Sequence, residues 1–169
     1  MNIAAKGQPN QIAELELLLP DYSLIPFKNT EIDAYDVIFD LDFDDTPEQM
    51  GMYMEVQNAV IVVGAVKVQL EELYAEGGSR PQCTIVGMNT LPTFINRSLV
   101  EFCATHPNDE AIATDLFKKL GLESRCVQSR VGLVTPRIVC MIINEAYYTV
   151  QEGTASREDI DLGMKLGTA

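Results

Sequence analysis

The alternation of apolar and polar positions divides the chain into short strands and helices. Residues 1–5 read as a strand and Gly7-Gln8-Pro9-Asn10 as a turn. Residues 11–19 read as a helix, with Ile12, Leu15, Leu18 and Leu19 at helical spacing and Pro20 as the stop. A strand follows over 22–27, and Pro26, which has no N–H to give a ladder, predicts an edge position for it. Strand, turn, helix and strand in this succession open an α/β unit. Residues 35–43 alternate strictly: Tyr35, Val37, Phe39, Leu41 and Phe43 lie on one face, with Asp36, Asp40 and Asp42 on the other beside Ile38. That pattern predicts a strand with one solvated acidic face. Thr46-Pro47-Glu48 starts a turn or a short helix, Thr46 suiting an N-cap with proline at the first helical position.

The apolar run 59–66 predicts a buried strand, 69–75 a short helix stopped at Gly77-Gly78, and 83–87 and 99–103 two further strands. Asn108-Asp109-Glu110 caps a helix that runs to Leu120 and stops at Gly121, with acids at its start and Lys118-Lys119 at its end, as the helix dipole prefers. Residues 125–128 read as a strand. A long helix over 135–152 ends at Gly153, and its apolar residues nearly encircle it, which predicts burial on most sides with a partner subunit as the second cover. Ser156 and Asp159 open a last short helix over 158–166, ended by Gly167. The predicted fold class is α/β, with a reduced Rossmann-like N-terminal region (1–128) followed by a helical C-terminal segment (129–169).

Charge narrows the function classes. The 169 residues carry 12 Lys and Arg against 25 Asp and Glu, a net charge of −13. Such a surface repels phosphate backbones and anionic lipid heads, which argues against nucleic-acid and membrane-surface binding. Nine acids and no base lie between Lys28 and Lys67, whereas the second half is near neutral and the better candidate for an interaction surface. At 47% hydrophobic the chain suits a folded core. The N-terminus lacks the apolar core of a signal peptide, and the run 59–66 is only strand-sized. Cys83, Cys103, Cys126 and Cys140 form no C-x-x-C pair and sit in apolar segments. They are expected to be buried reduced thiols of a cytoplasmic protein.

Three chemical motifs can be tested on the residues. The stretch 37–46, with Asp40 and Asp42, resembles the first motif of haloacid-dehalogenase-type phosphatases over about ten residues. It departs where Phe43-Asp44 stands in place of Gly-Thr, and its neighbourhood has no cation to offset phosphate charge. A dinucleotide loop would fall at residues 7–12, but that stretch offers one glycine where three are expected, and a proline, which cannot donate a hydrogen bond. His106 is the only histidine, so a histidine metal cluster is impossible; beside Pro107 it reads as an exposed loop residue.

Residues 131–146 (VGLVTPRIVCMIINEA) and 152–167 (EGTASREDIDLGMKLG) fit, in register, the C-terminal helical domain of the 3-hydroxyacyl-CoA dehydrogenase family, which this chain resembles over 81–169. The resemblance implies a Rossmann domain for NAD and a helical domain that closes on acyl-CoA and forms dimers. It also implies a catalytic His that takes the 3-hydroxyl proton while hydride passes to nicotinamide, a Glu that orients it, and an assisting Ser and Asn. On this motif the His position falls on Asn89, whose amide does not titrate. The Glu is Glu101, and the Asn position falls on Pro136 beside Arg137. The Ser position falls near Lys67 or Val68.

The expectation is therefore a dehydrogenase-like protein of acyl-CoA metabolism, impaired or inactive in catalysis. It would need no cofactor and no metal. Glu101, Asn89 and Arg137 would line a cleft for an acyl-CoA-like ligand, and a homodimer would form through the 135–152 helix. The alternatives are an active NAD-dependent enzyme with a rebuilt site, such as Glu101 acting as base, and a purely structural dimerisation protein.

Overall fold

The computed structural model describes residues 1–76, 78 and 80–167. The chain divides into two compact units, Met1–Val134 and Thr135–Ala169. The first is built on seven strands: β1 (Ile3–Lys6), β2 (Leu24–Pro26), β3 (Val37–Asp40), β4 (Val60–Gly64), β5 (Thr84–Met88), β6 (Leu99–Cys103) and β7 (Glu123–Val127). Its helices are α1 (Pro9–Leu18), α2 (Leu70–Glu76) and α3 (Pro107–Lys119). The strand order is β2-β1-β3-β4-β5-β6-β7, parallel from β2 to β5, with β6 antiparallel to β5 and parallel to β7. This is a Rossmann-like α/β sheet. The chain leaves β1 towards β2 on one side and returns to β3 on the other, so the C-terminal end of β1 is a topological switch point, where α/β sheets open a crevice.

Alternation along each strand feeds two cores. Ile3, Ala5, Val37, Phe39, Val62, Val86 and Phe102 pack under α1 and α3, with Leu15, Ala113 and Phe117. Ala4, Ile38, Ile61, Val63 and Ile85 face the other way and meet Leu70 of α2 and the 3-10 segments Phe43–Asp45 and Pro47–Tyr53.

That second layer corrects the expectation for the acidic strand face. Val37, Ile38, Phe39 and Asp40 are all buried, because residues 47–53 fold back over the side predicted to be solvated; Asp40 is 0% exposed. Thr46 makes no capping bond, and Pro47–Tyr53 is 3-10 rather than α-helical. The cap of α3 also differs from expectation: exposed His106 occupies it, its Nδ1 accepting the Asn108 N–H at 3.1 Å. Cys83 and Cys103 are buried as expected, but Cys126 is half-buried and Cys140 is exposed. The Gly77 part of the predicted α2 stop lies outside the described residues.

The second unit is a helical pair, α4 (Thr135–Gln151) and α5 (Arg157–Gly167). Its last helix opens with the Ser156–Asp159 reciprocal cap: the Ser156 hydroxyl donates to Asp159 Oδ2 at 2.6 Å and accepts the Asp159 N–H at 3.1 Å. Within this chain α4 is not enclosed as expected. Only Pro136 is buried, and Met141, Ile143, Tyr147 and Tyr148 are exposed, as are Leu162 and Leu166 of α5. A furrow of about 380 Å³ runs between the two helices, lined by Ile143, Ala146, Tyr147, Val150, Ile160 and Met164 together with the charged Arg157 and Asp161.

Candidate functional site

Two places in the first unit gather chemistry, and both lie at the C-terminal ends of the parallel strands. At the end of β5, Asn89 faces Glu101 across the antiparallel pair, its N–H donating to the Glu101 carbonyl at 3.3 Å. The two residues singled out by motif spacing are thus brought together. The Asn89 side chain is buried and its Oδ1 accepts the Leu91 N–H at 3.3 Å. The Glu101 carboxylate is bonded to the Val134 N–H. Nearby, the Gly132 N–H donates to the Val66 carbonyl at 2.6 Å and Leu133 is buried, which fastens residues 132–134, the end of the first unit, to its sheet layer. Arg137 belongs to α4 in the second unit, where it is exposed. Lys67, near the expected Ser position, has its amide held at 2.7 Å by Asp44 Oδ1, while Oδ2 takes the Val66 N–H at 2.8 Å. Burial pushes the Asp44 carboxyl up, against these two donors, which lower it.

The second place is the switch point. Lys6 ends β1 and reaches Asp40 (3.3 Å), Asp42 (3.3 Å) and the Gln49 side-chain oxygen (2.6 Å). The Tyr53 hydroxyl donates to Asp40 Oδ2 at 2.7 Å. Desolvation pushes the Asp40 carboxyl up to about 6, although the Tyr53 bond and the Lys6 charge oppose it. Burial and the adjacent Asp40 also raise the Tyr53 phenol, so it stays protonated and serves as a donor.

Beside this cluster the turn after β1 is closed. A Cβ on Gly7 would stand 2.8 Å from Leu41 Cβ, so side chain fills the space above the glycine. Gln11, 6% exposed, uses its whole amide there: Nε2 donates to the carbonyls of Leu41 and Thr90, both at 2.8 Å, and Oε1 accepts the Gln8 N–H at 2.9 Å. In the sequence Gln11 reads as an ordinary helical residue. The only available signal was a polar residue on the inward-facing side of α1, four positions before buried Leu15. Among the described residues no group of His, Cys, Asp or Glu is arranged to hold a metal ion, and no helix is long and apolar enough to cross a membrane.

Residues 132–169 match the model of the 3-hydroxyacyl-CoA dehydrogenase C-terminal domain. A probable 3-hydroxybutyryl-CoA dehydrogenase of Bacillus subtilis (strain 168) is 37% identical over 92 residues, 53% of this chain and 32% of that protein. A 3-hydroxybutyryl-CoA dehydrogenase of Bradyrhizobium diazoefficiens is 32% identical over 80 residues, 47% of this chain and 27% of that one. The matched segments thus span no more than a third of these relatives' own lengths. In fold, the chain resembles the (S)-3-hydroxybutyryl-CoA dehydrogenase PaaH1 of Ralstonia eutropha, with a TM-score of 0.72 at 20% identity, covering 99% of this chain and 77% of that one. It resembles FadB2 of M. tuberculosis with a TM-score of 0.73 at 13% identity, over the same shares.

Proposed function

We propose that this chain, which resembles the 3-hydroxyacyl-CoA dehydrogenase family in its C-terminal sequence and in its fold, serves as a dehydrogenase-like module that engages an acyl-CoA-like ligand or a partner subunit without transferring hydride. The observation that carries this reading is the pair at the end of β5. Asn89 stands opposite Glu101, where the family resemblance calls for a histidine base, and a carboxamide cannot take a proton at neutral pH. Glu101 meanwhile bonds to the Val134 amide, so its carboxylate serves the chain's own backbone. The acyl-CoA class of ligand comes from the relatives named as 3-hydroxybutyryl-CoA dehydrogenases.

NAD, the cofactor this family implies, does not fit the residues present. A diphosphate at this fold's switch point needs open space over the glycine turn and free amides at the helix start. Leu41 occupies that space, Gln11 takes the Gln8 amide, and Pro9 has none to offer. Aspartates 40 and 42 add negative charge beside it.

The exposed apolar residues of α4 favour an additional reading as a homodimer joined through this helix. A surface bearing Met141, Ile143, Tyr147 and Tyr148 gains free energy when a second copy covers it. Four free cysteines support a place in the reducing cytoplasm.

A titration with NADH followed by nicotinamide fluorescence tests the proposal, and with no Trp in the chain the protein background is low. No saturation at millimolar NADH is expected. Saturable binding at micromolar NADH, together with oxidation of a 3-hydroxyacyl-CoA that disappears in Glu101→Gln, would instead establish an active enzyme with a rebuilt site.

A further inference from the structure

The loop between β5 and β6 is fastened to α1 at three points. Gln11 donates to the Thr90 carbonyl, and Glu14, one turn further along the same helix, takes two backbone amides with its two oxygens: Thr93 N–H at 2.6 Å and Ile95 N–H at 3.2 Å. Ile95 is buried in the core, and Arg97 closes the loop on itself, its Nε donating to the Thr93 carbonyl at 3.0 Å. β-branched Thr93 is held at a φ of 74°, a left-handed backbone that such a residue rarely adopts without restraint. At the loop's start, Thr90 Oγ1 packs so closely on Gly64, at the end of β4, that a Cβ there would collide with it. The loop therefore lies across the mouth of the switch-point crevice, touching α1 on one side and the end of β4 on the other.

We propose that this loop is a strap latched to α1 by Gln11 and Glu14, which closes the switch-point crevice from within and helps keep the diphosphate of a dinucleotide out of it. Gln11 fills the ligand's place with its own amide, while Glu14 holds the cover. The inference rests on the reading that the chain binds no dinucleotide and adds the device that keeps it out. It also explains why a half-buried carboxylate at mid-helix bonds only to loop backbone: a carboxylate that accepts two amides gives the loop a charge-assisted anchor that a neutral side chain would not.

Amide hydrogen exchange on the full chain tests the latch. In the wild type the Thr93 and Ile95 amides are expected to be protected. Glu14→Ala is expected to speed their exchange about ten-fold or more, while the amides of β1 and β3 keep their rates. Glu14→Gln, which retains one acceptor oxygen and almost the same shape, is expected to fall between the two, and it supplies the comparison where Glu14→Ala folds poorly. Wild-type Thr93 and Ile95 amides exchanging at open-coil rates would overturn the latch, as would rates unchanged in both variants. Saturable NADH binding by the wild-type chain would overturn the reading beneath it, an outcome distinct from a failure of the latch alone.

Discussion

Lys6 and Asp40 are register partners across β1 and β3, and the Lys6 Nζ lies 3.3 Å from both oxygens of a carboxylate that solvent does not reach. The pair shows burial outweighing attraction. The ammonium and the Tyr53 hydroxyl both favour the ionised acid, yet desolvation lifts Asp40 to about 6 from an ordinary 3.8. The folded chain thus holds this proton more tightly than the unfolded chain. The associated stability is complete below pH 3.8 and is lost as the pH rises through about 6.

Asp40→Asn tests that balance. Asparagine keeps an acceptor for Tyr53 and cannot ionise, so the variant is expected to exceed the wild type in stability by about 1–3 kcal/mol near pH 8 and to match it near pH 4. Urea midpoints at the two pH values decide it. A variant weaker than the wild type near pH 8 would mean that the Lys6 ion pair outweighs the burial.

Gly7→Ala addresses the closed turn. The added methyl meets Leu41 Cβ at 2.8 Å, and both lie between backbone segments tied together by Gln11, so neither can retreat freely. A loss of about 1–3 kcal/mol in unfolding free energy is expected. An unchanged midpoint would show that the turn has room to spare above the glycine.

The apolar face of α4 predicts assembly. Charged substitutions at Met141 and Tyr147, exposed by 66% and 71%, are expected to turn a dimer into a monomer in light scattering while leaving the far-ultraviolet circular dichroism unchanged. A wild-type chain that is already monomeric at high concentration would remove the dimer from the proposal.

The four thiols predict an order of reactivity. Burial pushes Cys83 and Cys103 up to about 11, and both are buried, whereas Cys140 is exposed. Alkylation of the native protein at neutral pH should mark Cys140 first and spare Cys83 and Cys103 until unfolding, as peptide mass mapping would show. Early loss of Cys83 would contradict the packing described around it.

Much of this fold was legible because its strands announce themselves locally. The runs behind β4 and β5 are apolar on both faces, as a parallel sheet covered on both sides demands, and the helical motif at the C-terminal end lies where the model of the 3-hydroxyacyl-CoA dehydrogenase C-terminal domain matches. Asp40 was misread because what covers it is distant from it in character: residues 47–53 form a 3-10 segment with no helical period, and nothing in β3 itself signals Tyr53 above it. The Asn89–Glu101 juxtaposition followed from the motif. The Gln11 and Glu14 contacts could not, because their partners are backbone atoms some eighty residues away, and backbone atoms leave no residue-type signature.

The two ends of the sheet bear on strand-to-strand association. An open strand edge is a template for uncontrolled stacking of one chain on another. Here one edge is the three-residue β2, interrupted by Pro26, and the other is β7, whose exposed Glu123 and Arg125 keep charge along the rim. Strand-to-strand growth is thereby discouraged at both ends. Among the described residues the exposed apolar side chains of α4 and α5 belong instead to helices, whose backbone polar groups are already satisfied, so a contact made through them would not spread as a ribbon.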